Sequence, residues 1–251
     1  MKIIQKAYLY LGYLIIYITS NVNIITLMIE INCQKFLNQY IDKEIFIKHN
    51  KDFKNTMLII DTRLSLNLVL VIRNALHKLP NFNLMVISTK DNLDYLEKIF
   101  GKIFYKAELN KSKINLNEYS KILRDPEIWK KIPGEKVLVF QSDTIFLREI
   151  KDSEFQNLSM IGPTCVNFED NEKFIINGGF SFRNKELMIE LSKNKIINSP
   201  IEDFFFTEQL RKYYPELMPS IQDCNNFAIE SVGNKLTAKG IHGTDKYYKT
   251  F

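Results

Sequence analysis

Between Lys136 and Leu147 the chain reads KVLVFQSDTIFL, an apolar run from Val137 to Phe140 that breaks abruptly into Gln141-Ser142-Asp143, with Pro133-Gly134 just ahead as turn punctuation. A short, unbroken apolar run bounded by turn signals reads as a central strand buried on both faces. No other stretch constrains the fold as much, because such a strand needs a layer of structure over each face of its sheet. In open α/β sheets ligands gather outside the carboxyl ends of the strands, where the loops part into a crevice. Asp143 is therefore expected at the mouth of a cleft. A carboxylate placed there is a hard oxygen ligand suited to Mg²⁺ or Mn²⁺, ions usually held by one or two carboxylates together with substrate phosphates. Taken alone, the tripeptide is equally compatible with an Asp143 that merely turns the chain.

The rhythm before this strand is regular. Met57 to Ile60 is a short apolar strand ending in Asp61-Thr62-Arg63, and Leu66 to Leu79 follows as a helix apolar nearly all round, hence buried. Asn83 to Ser88 and Lys102 to Glu108 are further strands, separated by a helix from Asn92 to Phe100 that Gly101 stops. Two short helices follow, Asn117 to Arg124 and Pro126 to Ile132, the second with Asp125 as its cap. Strands and helices alternating at these lengths imply a mostly parallel sheet with helices on both faces. Beyond Asp143 the character becomes α+β: short strands at Ser159 to Gly162, Phe174 to Arg183 and Asn226 to Ser231, with helices at Lys185 to Lys193 and Glu202 to Tyr213.

A chain of 251 residues has room for one large domain with a substantial core. The pattern places it at residues 56–251, after a lead-in and linker at residues 1–55. In the lead-in, Lys2 and Lys6 precede an apolar run from Ala7 to Ile18, and a second run extends from Ile24 to Ile31. A dozen residues fall short of the roughly twenty that span a bilayer. The positive start suits a signal-peptide core, yet no A-x-A-like cleavage site follows. Two readings stay open, a helix packed on the domain and an interfacial anchor giving peripheral membrane contact. Gln34 to Asn55, polar and rich in Lys and Asp, reads as an exposed helix and linker.

Hydrophobic residues at 45% and charged ones at 25% are those of a soluble globular chain. The net charge of +5 is scattered, with no dense basic block carrying interleaved aromatics, so no nucleic-acid partner is expected. Cys33, Cys165 and Cys224 lack CxxC spacing, which argues against a disulfide framework and against a zinc site. Three separate thiols fit a reducing compartment. A cytoplasmic location is favoured, with membrane association as the alternative.

Several chemistries are excluded. No GxGxxG follows a strand and no GxxxxGK[ST] occurs, so neither a dinucleotide turn nor a P-loop is present. An aspartyl phosphohydrolase would need its nucleophile where Gln141 stands, and an amide cannot form the acyl phosphate. Four stretches remain whose polar groups a packed core would not choose. Asn177-Gly178-Gly179 enters the strand Phe180-Ser181-Phe182-Arg183, and paired glycines there permit close approach of a ligand or of another backbone, or make a bulge. Glu202-Asp203 precedes Phe204-Phe205-Phe206, where an acidic pair also suits a helix start. Asn225 to Glu230 reads as a strand lining the same cleft, and His242 lies among glycines in Gly240-Ile241-His242-Gly243.

The succession IIDTR, LVLVIRNALHKLP, NEYSKILRDPEIWKKI, VLVFQSDT, IGP, INGGFSFR, IEDFFF, NNFAIE and GIH resembles a family catalogued as a domain of unknown function and read as nucleotide-sugar transferases. Its recurring pattern is an acid and Arg after the first strand, FQ-[ST]-D, IGAPW, NGG-[LF]-S-[LF]-R, ED with aromatics, F-x-[VI]-E and a terminal G-x-H, matched here from about Leu58 to Tyr247. The resemblance implies a single GT-A-like, Rossmann-like domain with a mixed, mostly parallel central sheet. It implies a glycosyltransferase (hexosyltransferase) moving a sugar from a nucleoside-diphosphate sugar, most often a UDP-sugar, to a glycan, protein or lipid acceptor. Two departures stand out. Gln141-Ser142-Asp143 replaces the usual Asp-x-Asp, so metal dependence rests on one carboxylate, and Ile161-Gly162-Pro163-Thr164-Cys165 lacks the alanine and tryptophan of IGAPW.

On this reading Asp61 and Arg63 line the nucleotide end with Gln141 and Ser142, and Asp143 and His242 hold Mn²⁺ or Mg²⁺ against the diphosphate. Lys246 adds a point charge, and Asn177, Gly178 and Gly179 shape the sugar pocket. Asp203 is the expected base of an inverting transfer, with Glu202 reaching a sugar or acceptor hydroxyl. The rivals are a module of the same fold that binds nucleotide or carbohydrate without chemistry, and a sugar-phosphate nucleotidyltransferase. The latter usually carries a Gly-rich loop after its first strand, and Asp61-Thr62-Arg63-Leu64-Ser65 has no glycine.

Overall fold

The computed structural model describes residues 35–40, 53–155, 158–165, 174–194, 197, 199–230, 233–234 and 236–243. The apolar lead-in, Cys33 and Lys246 lie outside the described residues.

The core is a six-stranded sheet in the order β3-β2-β1-β4-β9-β6. β1 (Asn55–Ile60), β2 (Asn83–Ser88), β3 (Tyr105–Glu108) and β4 (Lys136–Phe140) run parallel. β9 (Phe180–Asn184) lies antiparallel to both β4 and β6 (Met160–Ile161), so it is the reversed strand of the six. The expected class holds: an α/β fold with a mixed, mostly parallel central sheet. β1 and β4 are buried along nearly their whole lengths, as their unbroken apolar runs require. β3, read from Lys102, begins only at Tyr105 and is largely exposed, as suits an edge strand.

Helices α1 (Leu66–Lys78), α2 (Lys90–Phe100), α3 (Leu116–Leu123), α4 (Pro126–Lys131), α5 (Lys185–Lys193), α6 (Glu202–Tyr213) and α7 (Ile221–Phe227) complete the fold. Six of these seven starts carry a side-chain cap, α6 being the exception. Ser65 caps α1, Thr89 caps α2, Asn115 and Glu118 form a capping box at α3, and Asp125 with Pro126 opens α4. One buried cluster runs from β1 through Trp129, β4 and β9 to Phe206 and Phe227, so the two halves of the sequence share one core. Among the described residues no helix is long and apolar enough to cross a membrane.

Two sequence readings change. Phe174 to Arg183 is two strands: β8 (Ile175–Ile176) pairs with β7 (Thr164–Cys165), and the turn at Asn177–Gly179 carries the chain into β9. Of the stretch Asn226 to Ser231, whose last residue lies outside the described residues, Asn226 and Phe227 are helical, because Ser220 and Asp223 form a capping box that starts α7 and carries the helix through Phe227. Among the described residues of that stretch only β10 (Ala228–Ile229) is strand.

The segment read as an exposed linker is also partly core. At residues 35–38 the chain makes a helical turn, and Leu37 and Tyr40 are 3% and 2% exposed. Leu37 joins Leu70 and Ile145 in a small apolar cluster, and the Tyr40 ring meets His77 edge-on at 5.4 Å. Cutting after Asn50 would strip both side chains from their contacts. A chain beginning at residue 51 is therefore expected to be about 2–5 kcal/mol less stable than one beginning at residue 35, the usual range for emptying a buried large apolar site. Equal urea midpoints for the two chains would return this segment to the linker.

Candidate functional site

The sheet reverses its winding between β1 and β4, with β2 and β3 on one side and β9 and β6 on the other. In doubly wound sheets that switch point opens the crevice where ligands bind. Asp61 follows β1 and Gln141 follows β4, so the chain places both at its carboxyl edge. Asp61 is buried and anchored by its backbone, its N–H donating to Ile87 O at 3.2 Å and its carbonyl accepting a short bond from the Ser88 hydroxyl. Arg63 grips Asp61 in a forked pair, Nε to Oδ1 at 3.1 Å and Nη2 to Oδ2 at 2.9 Å. The same Nη2 donates to Ser142 Oγ at 2.9 Å, tying the loop after β1 to the loop after β4.

A second, smaller sheet brings the remaining pieces in. β5 (Ile145–Phe146) follows the QSDT turn, β11 (Gly240–Ile241) precedes His242, and the order is β10-β11-β5. Ile241 sits opposite Ile145 in antiparallel register and beside Ile229 in parallel register. By that register the residues just past these positions, Asp143, His242 and Glu230, emerge at one end of the small sheet. Buried Asn74 on α1 fixes β5 from below, donating to Phe146 O at 3.0 Å and accepting from Phe146 N at 2.7 Å. His242 is buried, with Nε2 3.2 Å from Gln141 Oε1 and 3.6 Å from Asp143 Oδ1, and Nδ1 3.8 Å from Glu230 Oε1.

The glycines explain themselves by what approaches them. A Cβ on Gly178 would stand 1.9 Å from Glu202 Oε1 and 2.5 Å from Asp203 Oδ1; one on Gly179 would stand 2.2 Å from His242 Nε2 and 2.9 Å from Gln141 Oε1. Neither has a positive φ, so space and not backbone freedom demands glycine here. Asn177 shapes the turn, its Oδ1 accepting from Gly179 N at 2.8 Å. The dipeptide is thus a partition, with an acid cluster on one flank and His242 with Gln141 on the other. What comes close is this protein's own side chains.

On the acid flank Arg183 is fully buried and holds Glu202 in a fork, Nη1 to Oε2 at 2.9 Å and Nη2 to Oε1 at 3.1 Å. It also donates to Ser181 Oγ at 2.7 Å and Gly178 O at 3.1 Å, and lies over the Trp129 and Phe206 rings. Both Glu202 oxygens therefore accept from Arg183, which gives Glu202 a structural role beside the expected reach to a sugar or acceptor hydroxyl. Asp203 is only half-buried and accepts from Gly178 N at 2.9 Å through Oδ1. Desolvation first, then the charge and hydrogen bond of neighbouring Glu202, raise its pKa well above the ordinary carboxylate range, with Arg183 and the Gly178 N–H pulling the other way.

The roles of Arg183, Glu230 and Tyr119 are not evident from the sequence pattern. In Phe180-Ser181-Phe182-Arg183 the period of two puts Ser181 and Arg183 on one face, and an arginine inside a covered strand implies a buried acid partner. Tyr119 of α3 is buried near Gln141 and Glu202, and desolvation, then the Glu202 charge, raises its pKa. No sequence signal separates it from an ordinary core tyrosine. Cys224 is buried, and burial pushes its thiol up to about 12, so it is an inert core residue.

Among the described residues no group of three or more His, Cys, Asp or Glu side chains is arranged to enclose a metal. Glu230 and Asp143 face opposite nitrogens of the His242 ring, so they do not converge on one point. Asp143 Oδ1 and Gln141 Oε1 both lie near His242 Nε2, at 3.6 and 3.2 Å, and Nε2 joins them as a lone-pair donor to an ion only in the tautomer whose N–H is at Nδ1.

No curated protein matches the chain by sequence. Its structure is similar to that of a mannosyltransferase, PcManGT from Pyrobaculum calidifontis, solved in complex with GDP-Man and Mn²⁺, with a TM-score of 0.44 and 8% identity. The likeness covers 74% of this chain and 60% of that one, so the chain spans less than two thirds of the neighbour's length. The sequence pattern of a family described as a protein of unknown function (DUF5672) matches residues 105–242. That match covers more than half of the 251 residues and contains the QSD turn, the NGG turn, the Glu202-Asp203 pair and His242. The chain belongs to the DUF5672 family.

Proposed function

We propose that the protein is a glycosyltransferase that moves a sugar from a nucleoside-diphosphate sugar, with UDP-sugars the favoured donors, to an acceptor hydroxyl with inversion. The observation that carries this reading is the partition at Gly178-Gly179. It sets a carboxylate of raised pKa on one flank and a carboxylate, an imidazole and an amide oxygen on the other. One displacement at an anomeric carbon needs that pairing. The acceptor oxygen forms its bond to the carbon as its proton passes to a base, and the bond to the diphosphate oxygen breaks on the opposite face, with charge developing on the leaving group.

Asp203 is the base in this scheme. Its raised pKa brings it nearer the range in which a carboxylate accepts a proton effectively at neutral pH. Asp143 and His242, with Gln141 beside them, would hold a Mn²⁺ or Mg²⁺ ion. Their one carboxylate oxygen, one imidazole nitrogen and one amide oxygen fit an ion that completes its shell with substrate phosphates. When bound, such an ion supplies charge neutralisation at the leaving diphosphate. Arg63, held toward the QSD loop by Asp61 and Ser142, presents a guanidinium at the nucleotide end.

The test is UDP binding by calorimetry, with and without Mn²⁺, for the parent and for Asp143→Ala. The variant is expected to lose the Mn²⁺-dependent part of its affinity, by at least the roughly tenfold that even an outer-shell partner contributes, while unfolding at the parental temperature. UDP affinity and metal response both unchanged would remove the QSD turn from the donor site.

A further inference from the structure

We infer that Glu230 is a positioning residue that orients His242, holding the ring by Nδ1 so that Nε2 offers its lone pair to a divalent cation at Asp143. The inference rests on the donor-site reading above and assigns a residue to which that reading gives no role.

The backbone makes the juxtaposition obligatory. β10 and β11 run parallel with Ile229 beside Ile241, and His242 N donates to Ile229 O at 2.8 Å. Glu230 and His242 therefore leave the small sheet side by side, both buried. The ring cannot swing away from this contact toward the NGG turn, because Nε2 already fills the space where a Gly179 side chain would begin, 2.2 Å from the Cβ position. Its two nitrogens are thereby committed to different partners: Nδ1 lies 3.8 Å from Glu230 Oε1, and Nε2 lies 3.2 Å from Gln141 Oε1 and 3.6 Å from Asp143 Oδ1.

A neutral imidazole has one N–H and one lone pair, and the hydrogen bond made by one nitrogen sets the role of the other. Nε2 can serve as a ligand only when the N–H is at Nδ1, and the carboxylate facing Nδ1 is Glu230. At 3.8 Å the pair is at ion-pair range and longer than a hydrogen bond. A carboxylate behind a metal-binding histidine fixes the tautomer and ring orientation and makes the ligand nitrogen more basic. Glu230 bears the same relation to His242 here. The ion would see one carboxylate directly and the second only through the ring.

The experiment is a double-mutant cycle on Mn²⁺ affinity, read by calorimetry and by Mn²⁺ water-proton relaxation in the presence of UDP, for the parent, Glu230→Gln, His242→Ala and the double variant. Glu230→Gln is expected to weaken Mn²⁺ binding roughly 10- to 100-fold, and to weaken it no further once His242 is gone. A purely structural Glu230 would cost the same in both backgrounds, and that result overturns the inference. Parental Mn²⁺ affinity in Glu230→Gln overturns it too, whether or not His242→Ala folds. If His242→Ala itself binds Mn²⁺ like the parent, the donor-site reading fails and this inference with it. A weakened His242→Ala beside an unaffected Glu230→Gln removes Glu230 alone.

Discussion

Replacing Arg183 by methionine is expected to cost the native state about 3–5 kcal/mol, the usual penalty for leaving one member of a buried ion pair without its partner. Domains of this kind have a total stability of only about 5–15 kcal/mol, so the variant should unfold at a much lower urea concentration and express poorly. Arg183 joins β9 to the start of α6 through Glu202 and to the NGG turn through Gly178 O. Its loss would leave the buried Glu202 carboxylate with no countercharge. Because the cost lies in the stranded charge, the double variant Arg183→Met with Glu202→Leu should recover much of it. An Arg183→Met chain with the parental midpoint would show that the pair contributes little. Glu202→Gln alone is expected to act on stability first, since both of its oxygens serve Arg183.

Asp203→Asn is expected to lower transfer by roughly two to four orders of magnitude, the contribution typical of a general base, with donor binding nearly intact. Asparagine keeps an oxygen for the Gly178 N–H and loses only the basicity. Stability should move the other way. Because the native pKa of Asp203 is raised, the folded protein retains a proton that the unfolded chain has already lost, so stability declines as pH rises from about 4 through the native pKa. Asparagine does not ionise. Its urea midpoint should therefore match the parent below about pH 4 and exceed it increasingly above. Transfer at the parental rate, or a product that retains the donor's anomeric configuration, would take the base role from Asp203. A midpoint difference that does not change with pH would deny the desolvation on which that role draws.

Local pattern was enough for the first half of the sheet. Val137 to Phe140 and Met57 to Ile60 are apolar at successive positions, and a strand buried on both faces requires that, so β1, β4 and their parallel relation were legible. So were helix starts at Asp125-Pro126, where the cap is satisfied two residues on, and at Glu202, where no side chain caps the helix but an acidic pair suits its dipole. The site was legible as a set of stretches, because QSD, NGG, ED and GIH each place polar or glycine residues against an apolar background. It was not legible as an arrangement. Asp143, Glu230 and His242 meet only because three two-residue strands pair in one register, and two residues of pattern carry almost no periodicity. The α7 helix was hidden for a related reason: Asn225-Asn226-Phe227 reads as extended until the Ser220 and Asp223 capping box is recognised.

By itself, then, the sequence determined the sheet class, the central strand and the candidate residues, since each depends on hydrophobic burial or capping acting over a few neighbours. The tertiary structure decided what those residues do. It showed that Leu37 and Tyr40 are packed, since burial depends on α1 and not on the polar residues around them. It turned Glu202 into the partner of Arg183, and it set Gly178 and Gly179 against side chains of this protein. It also placed Glu230 behind His242. Each of these is a contact between residues distant in the chain, and the energy of such a contact depends on separation and desolvation, which no local pattern contains.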